Sequence, residues 1–269
     1  MADRRRGPAF GVVGGLRSVE KRTAPEIRGD RLTRNVEVLG VRLAWQRAVQ
    51  CPCTGINDQT LQPDPNHALC RGLGVVYVGP TDYVLPEDQG ELDELQTAIL
   101  EDRGSALIRG VIQRVNVSTT PFERLGNWTQ GYMMVTVRPE NKINHGDRLI
   151  DLDSTLCYTE VVETGDPSTP LRARYLARAF NYVRTVDTVY TQGVDFHLED
   201  GHLVWENPAS APAEGTRLAL HYETHPAWRV WQHPHLVRTS QRSHKRAEPE
   251  QQDLVLQALV KLEFVPDDT

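Results

Sequence analysis

A chain of 269 residues with 39% hydrophobic and 25% charged side chains has the composition of an ordinary globular protein and room for one large or two ordinary domains. Its net charge of −6, from 36 acids against 30 Lys and Arg, excludes a molecule that coats nucleic acid over its whole surface. No stretch approaches the roughly twenty apolar residues of a membrane-spanning helix, and no membrane partner is expected.

The charge is uneven along the chain. Residues 1–34 hold nine basic side chains, Arg4, Arg5 and Arg6 among them, against four acidic ones. With Gly14-Gly15 and little apolar periodicity, residues 1–35 read as a basic extended arm. The run from Pro8 to Gly15 is too short and too glycine-rich for the apolar core of a secretory signal. Such an arm is either a solvated tail or a segment that docks on an acidic surface or a phosphate backbone, with Arg4, Arg5 and Arg6 as contact candidates.

From Val36 to Val49 apolar residues alternate and predict a strand that runs into Cys51-Pro-Cys53. After a turn-rich stretch comes His67-Ala-Leu-Cys70, so Cys51, Cys53, His67 and Cys70 bring four zinc donors into twenty residues. Thiolate sulfur and neutral imidazole suit a tetrahedral Zn²⁺, and four protein ligands make the ion structural because none is left for water. The single proline in the first pair is tighter than the usual two to four residues. Two other readings stay open: small buried hydrophobes beside a loop histidine, and a disulfide framework, which a chain of this length does not need.

Gly72-Leu73-Gly74 and the run Val75 to Val78 then predict a second strand, making the metal segment an excursion between two strands. Glu91 to Asp102 places Leu92, Leu95, Ile99 and Leu100 at helical spacing and predicts one short packing helix. Strands are expected over 106–117, 132–137 and 147–152, suggesting a small barrel or sandwich. His145 lies in a turn.

A second antiparallel unit follows Gly165-Asp166-Pro167, with strands over 171–175, 183–190, 196–205 and 218–222 and a tight hairpin at Asp200-Gly201. The segment from His225 to His235 is dense in His and aromatics, but His221, His225, His233 and His235 lack an acidic cluster to complete a second metal site. Trp228, Arg229 and Trp231 are residue types enriched at interfaces and are read as contact surface. The apolar residues from Leu254 to Phe264 predict a helix or strand that docks on the core or on a neighbouring subunit.

The expected fold is therefore mainly β, with small barrel or sandwich units, an inserted zinc-binding loop, one short helix and an extended N-terminal arm. Its expected parts are the arm at 1–35, a β domain at 36–155 with the zinc insertion at 51–70, a second β unit at 156–245 and a C-terminal docking segment at 246–269. No phosphate loop, nucleophile elbow or His-Glu-x-x-His occurs. The pairs Asp151/Asp153 and Asp187/Asp195 sit at strand ends where solvated acids are routine, so no enzyme is expected.

The Cys-Pro-Cys segment ending in Pro-Asp-Pro-Asn-His-Ala-Leu-Cys-Arg-Gly-Leu-Gly resembles segments in virion proteins of tailed bacteriophages, where a small zinc element opens a β-rich structural protein. The later run from Gly193-Val194-Asp195-Phe196 through Asp200-Gly201-His202-Leu203-Val204-Trp205 to His235-Leu236-Val237-Arg238 is similar to β-domains of phage neck and tail-connector proteins. His67 stands where that pattern often has cysteine, and Leu73 where it has glycine. The resemblance covers about residues 50–80 and 190–240. It implies a ring-forming homo-oligomer at the head-to-tail junction of a virion assembled in the host cytoplasm, linking portal to tail or neck proteins and passing packaged DNA. A tail or baseplate protein, a zinc-dependent hydrolase or nuclease, and a nucleic-acid-binding regulator are the alternatives.

Overall fold

The computed structural model describes residues 29–53, 67, 70, 73–115, 131–165, 168–170, 177–199, 202–209, 211–233, 239–242 and 250–263. In chain order come helix α1 (Gly29–Leu39), strands β1 (Val41–Gln50) and β2 (Val75–Val78), helix α2 (Glu94–Glu101), β3 (Ala106–Arg114), β4 (Tyr132–Val137), β5 (Arg148–Asp151) and β6 (Leu156–Glu163). After these lie β7 (Ser168–Pro170), β8 (Ala177–Arg184), β9 (Val189–Tyr190), β10 (Phe196–Glu199), β11 (His202–Trp205) and β12 (Arg217–Thr224). The described chain ends with β13 (Ala227–Gln232), β14 (Thr239–Arg242), β15 (Glu250–Asp253) and β16 (Leu256–Leu262). The fold is mainly β, with two α-helices among the described residues. Neither is long and apolar enough to cross a membrane.

Six strands close into an antiparallel barrel in the order β1, β3, β4, β16, β13, β5 and back to β1. Register explains the closure: Leu43 sits opposite Ile108 on one side and Asp151 on the other, and Trp45 opposite Ala106 and Leu149. Alternate residues therefore share one interior. Leu43, Trp45, Ile108, Val135, Val137, Leu149, Val230 and Val260 pack there, all nearly or fully buried. Gly110 is small for a reason of space, since a Cβ on it would meet Leu43 Cδ1 at 2.6 Å and Val137 Cγ1 at 3.2 Å.

The unit from β6 to β12 is an insertion between barrel strands β5 and β13. One sheet (β6, β12, β8, β9) and another (β10, β11, β7) pack their apolar faces together around Phe196, Leu203, Trp205, Leu218, Leu220 and Tyr222. Phe180 stands edge-on to Phe196 with ring centroids 5.4 Å apart, and Tyr190 to Trp205 at 4.9 Å. The same core takes in Ala44, Leu107, Ile150 and Ala227 from the barrel's outer wall and Leu92, Leu95 and Ile99 from the α2 region, so the insertion is welded to the barrel through α2. Asp93 caps α2, accepting from Gln96 N while the Gln96 side chain accepts from Asp93 N.

Buried histidine holds the point where the chain leaves and re-enters the barrel. His225 is fully buried, and its Nδ1 lies 3.0 Å from the carbonyl oxygens of both Asp151 and Ser154. Both partners only accept, so Nδ1 carries the proton and donates.

Three expectations change here. The helix at residues 29–39 takes the end of the segment read as an arm and the start of the segment read as a strand. Leu32, Thr33 and Val36 turn inward at i, i+1 and i+4 and pack the helix beside β3 and β4, and the period switches to two only after Gly40. The C-terminal stretch is no separate docking segment, because β16 lies between β4 and β13 and completes the barrel wall. And β13, read as part of the second unit, pairs with β5 and β16. The strand expected over 171–175 and the hairpin tip at 200–201 lie outside the described residues, although β10 and β11 pair as that hairpin requires, Glu199 facing His202.

Candidate metal centre

Strand β1 outlasts the barrel. Its last four residues, Arg47 to Gln50, pair instead with β2, Gln50 facing Val75 and Arg47 facing Val78, which makes a two-stranded ribbon. Just beyond it the Cys51 N–H donates to Gly74 O at 2.9 Å, and the Leu73 N–H donates to Cys70 O at 2.9 Å in a turn. Gly74 adopts φ +72°, a left-handed conformation that a side chain would strain, and so allows Cys70's turn to lead straight into β2.

This local geometry delivers the donors. Cys51, Cys53 and Cys70 are 0%, 2% and 2% exposed, His67 is half-buried, and one ligand atom from each of the four lies within 4.8 Å of every other. Cys51 Sγ is 3.4 Å from His67 Nδ1, and Cys53 Sγ is 3.3 Å from Cys70 Sγ. A tetrahedral ion with bonds of about 2.3 Å to sulfur and 2.0 Å to nitrogen separates its donors by about 3.5 to 3.8 Å, so the set has the size of a coordination shell. None of the four cysteines is in a disulfide, and a sulfur separation of 3.3 Å is far beyond the roughly 2.05 Å of such a bond. The disulfide reading fails on that ground. The group can hold a metal ion, and it is the one such gathering of His, Cys, Asp and Glu among the described residues.

Among the described residues, Val76 is the partly buried hydrophobic side chain that packs against the three thiols. The ribbon is tied to the barrel by Tyr77, 4% exposed, over whose ring the Arg148 guanidinium lies at 4.0 Å while pairing with Glu263. Burial pushes the Tyr77 phenol above its ordinary pKa. Asp147 braces the same end of the barrel: its carboxylate accepts from Trp45 Nε1 at 2.8 Å, Ala48 N at 2.9 Å and Asn144 N at 2.8 Å. Desolvation outweighs these bonds and raises its pKa. Sequence reasoning missed Asp147 and His225, which look in the chain like a turn acid and one histidine among several.

The remaining candidates fall apart from this centre. Trp228 is half-buried against the barrel core, Arg229 is half-buried on the wall between Arg148 and Lys261, and Trp231 is 40% exposed, its ring 6.3 Å from that of His145. Arg4, Arg5 and Arg6 lie outside the described residues. His145 is exposed in its turn, as expected. Compared with known proteins, the chain matches no family model, and no curated protein matches it.

Proposed function

We propose that this chain is a non-catalytic structural subunit of a tailed-phage particle, forming a homo-oligomeric ring at the head-to-tail junction and carrying one structural Zn²⁺ on Cys51, Cys53, His67 and Cys70. One observation carries the structural half: four soft donors within 4.8 Å of each other, three of them buried thiols, at the end of a two-stranded ribbon. Three thiolates and an imidazole are a donor set that favours Zn²⁺ among the common divalent ions. Four protein ligands complete a tetrahedron and leave no position where a water molecule would be activated, so the ion serves to hold the ribbon in shape. A ribbon too small to have a core of its own gains its order from such an ion.

The virion half rests on the resemblance of residues 50–80 to segments in virion proteins of tailed phages and of residues 190–240 to β-domains of neck and tail-connector proteins. A closed barrel with an inserted two-sheet unit offers distinct surfaces for the head-to-tail contacts between copies that close a ring, and for portal and tail proteins above and below. An acidic body lets packaged DNA pass without sticking.

Two measurements test the two halves separately. Protein purified without chelator is expected to contain one zinc per chain, and each of Cys51→Ser, Cys53→Ser and Cys70→Ser to abolish it; an ion-free parent defeats the structural reading. Particles made without the protein are expected to be DNA-filled heads lacking tails. Intact tails with defective tips would instead place the subunit in the tail or baseplate.

A further inference from the structure

The far end of α1 leaves apolar side chains in solvent. Val38 and Leu39 are each 69% exposed, and on the loop that follows β2, Tyr83 is 40% and Leu85 50% exposed. Loop and helix end are stitched together: Glu87 N–H reaches Glu37 Oε2 at 3.4 Å, and the Arg109 guanidinium donates to Gly40 O and Asp88 O, each at 2.9 Å. The four apolar residues thus lie on neighbouring segments of one surface, and exposed apolar groups gathered this way mark contact sites.

Negative charge rims that surface. Residues 72–102 contain eight Asp and Glu and no Lys or Arg. Asp82 pairs with Arg47 and Asp93 with Arg178, but Arg42 and Arg109 donate to the backbone oxygens of Gln89, Glu91 and Asp88, and the Glu87, Asp88 and Glu91 residues stay exposed. Across the helix, an open groove is lined by Thr33, Asp82, Pro139, Glu140, Lys142 and Asp253, of whose carboxylates Asp82 pairs with Arg47 and Glu140 with Arg138.

Residues 1–28 have the complementary chemistry. They carry seven Arg and Lys against three acids, with Phe10, Val12, Val13 and Leu16 grouped between the charges. They join the body at Gly29, the opposite end of α1 from Val38 and Leu39, about 16 Å away along a helix of 11 residues. Extended, 28 residues reach about 90 Å at roughly 3.3 Å each, enough to cross to a neighbouring molecule.

We infer that the basic arm of one copy docks on the acidic-rimmed apolar surface of a second copy, formed by the end of α1 and the 83–91 loop. The arm's apolar cluster covers Val38, Leu39, Tyr83 and Leu85, and its arginines meet the surrounding carboxylates. A contact that joins the arm to a different patch is head-to-tail in kind and propagates from copy to copy. It stands independently of the virion reading, because it requires only two copies of this chain.

Carbodiimide coupling of an equal mixture of ¹⁴N- and ¹⁵N-labelled full-length protein tests it. Lys21, the one lysine in the arm, is expected to join Glu87, Asp88 or Glu91 in cross-links of mixed isotope. The double variant Leu39→Asp/Leu85→Asp is expected to lower their yield at least tenfold, as is 0.5 M salt, while Val186→Asp, 84% exposed on the inserted unit, leaves it unchanged. Cross-links exclusively of a single isotope, where random pairing of copies makes about half of them mixed, would mean that the arm folds back on its own body and overturn the inference. So would cross-links spread evenly to Glu160 and Glu163, or none at all. A normal neck in particles lacking the protein would defeat the virion reading and leave this result standing.

Discussion

Along β1 the chain passes from one way of holding β-structure to another. At Leu43 and Trp45 it is fully buried among Ile108, Val135, Leu149, Val230 and Val260, side chains brought from five other stretches of sequence. Eight residues beyond Leu43, Cys51 is equally buried, and among the described residues it is gathered with two other thiols, His67 and Val76. The barrel excludes water with apolar area gathered from a distance, whereas the described part of the ribbon gathers its buried thiols from a single loop, and in the proposed reading a metal ion holds them. A long-range core tolerates loss of one member. A four-ligand centre does not.

Metal removal is the largest way to test that contrast. Cys51→Ser, or exhaustive chelation, is expected to forfeit most of a binding free energy of about 10–16 kcal/mol typical of structural zinc. Hydrogen exchange should then rise sharply at Val75 to Val78 while Val135 and Val230 in the barrel remain protected. Loss of protection in the barrel as well would show that the two regions fold as one unit. In the reverse experiment, Leu43→Ala should cost about 2–5 kcal/mol in denaturant unfolding with the zinc content still one per chain.

A smaller effect is expected at the seam. Arg42 donates from Nε to Asp153 Oδ1 and from NH1 to the Glu91 carbonyl, tying the barrel to the start of the insertion and to the loop before α2. Arg42→Ala should cost about 2 kcal/mol, read by thermal unfolding, and should leave metal binding alone.

The smallest concerns Asp147. Its folded pKa is raised above 3.8, so the protonated form is favoured by folding, and the stability linked to it is full below pH 3.8 and is lost as pH rises through the folded value. Asparagine does not titrate. The stability of the parent relative to Asp147→Asn should therefore fall as pH increases across that window, measured by urea unfolding at successive pH values. A difference that grows with pH would show that the hydrogen bonds from Trp45, Ala48 and Asn144 outweigh desolvation.

How much of this was legible depended on how local the cause is. Metal coordination selects donor types over short spacings, so Cys51, Cys53, His67 and Cys70 announced themselves as a set, and the structure brings them together. Strand alternation was equally visible in β3, β4, β5 and β12, because each strand turns one face inward. Helix α1 was hidden: Val36, Val38 and Leu39 continue into Val41, Leu43 and Trp45 with no polar break, and only Gly40 separates period 3.6 from period 2. Nothing near Trp228 announces that it is half-buried against the barrel core. That placement follows from β13 pairing with β5, some eighty residues earlier.

By itself the sequence determined the donor set, the β character and the basic charge of residues 1–34, since composition and short-range spacing carry that chemistry. Only the tertiary structure decided that β16 and β13 complete a barrel begun by β1 and that residues 156–224 are an insertion within it. The reason is physical: a strand's hydrogen-bonding edge is the same backbone whatever its partner, so the choice of partner is made by which interior the side chains fill together.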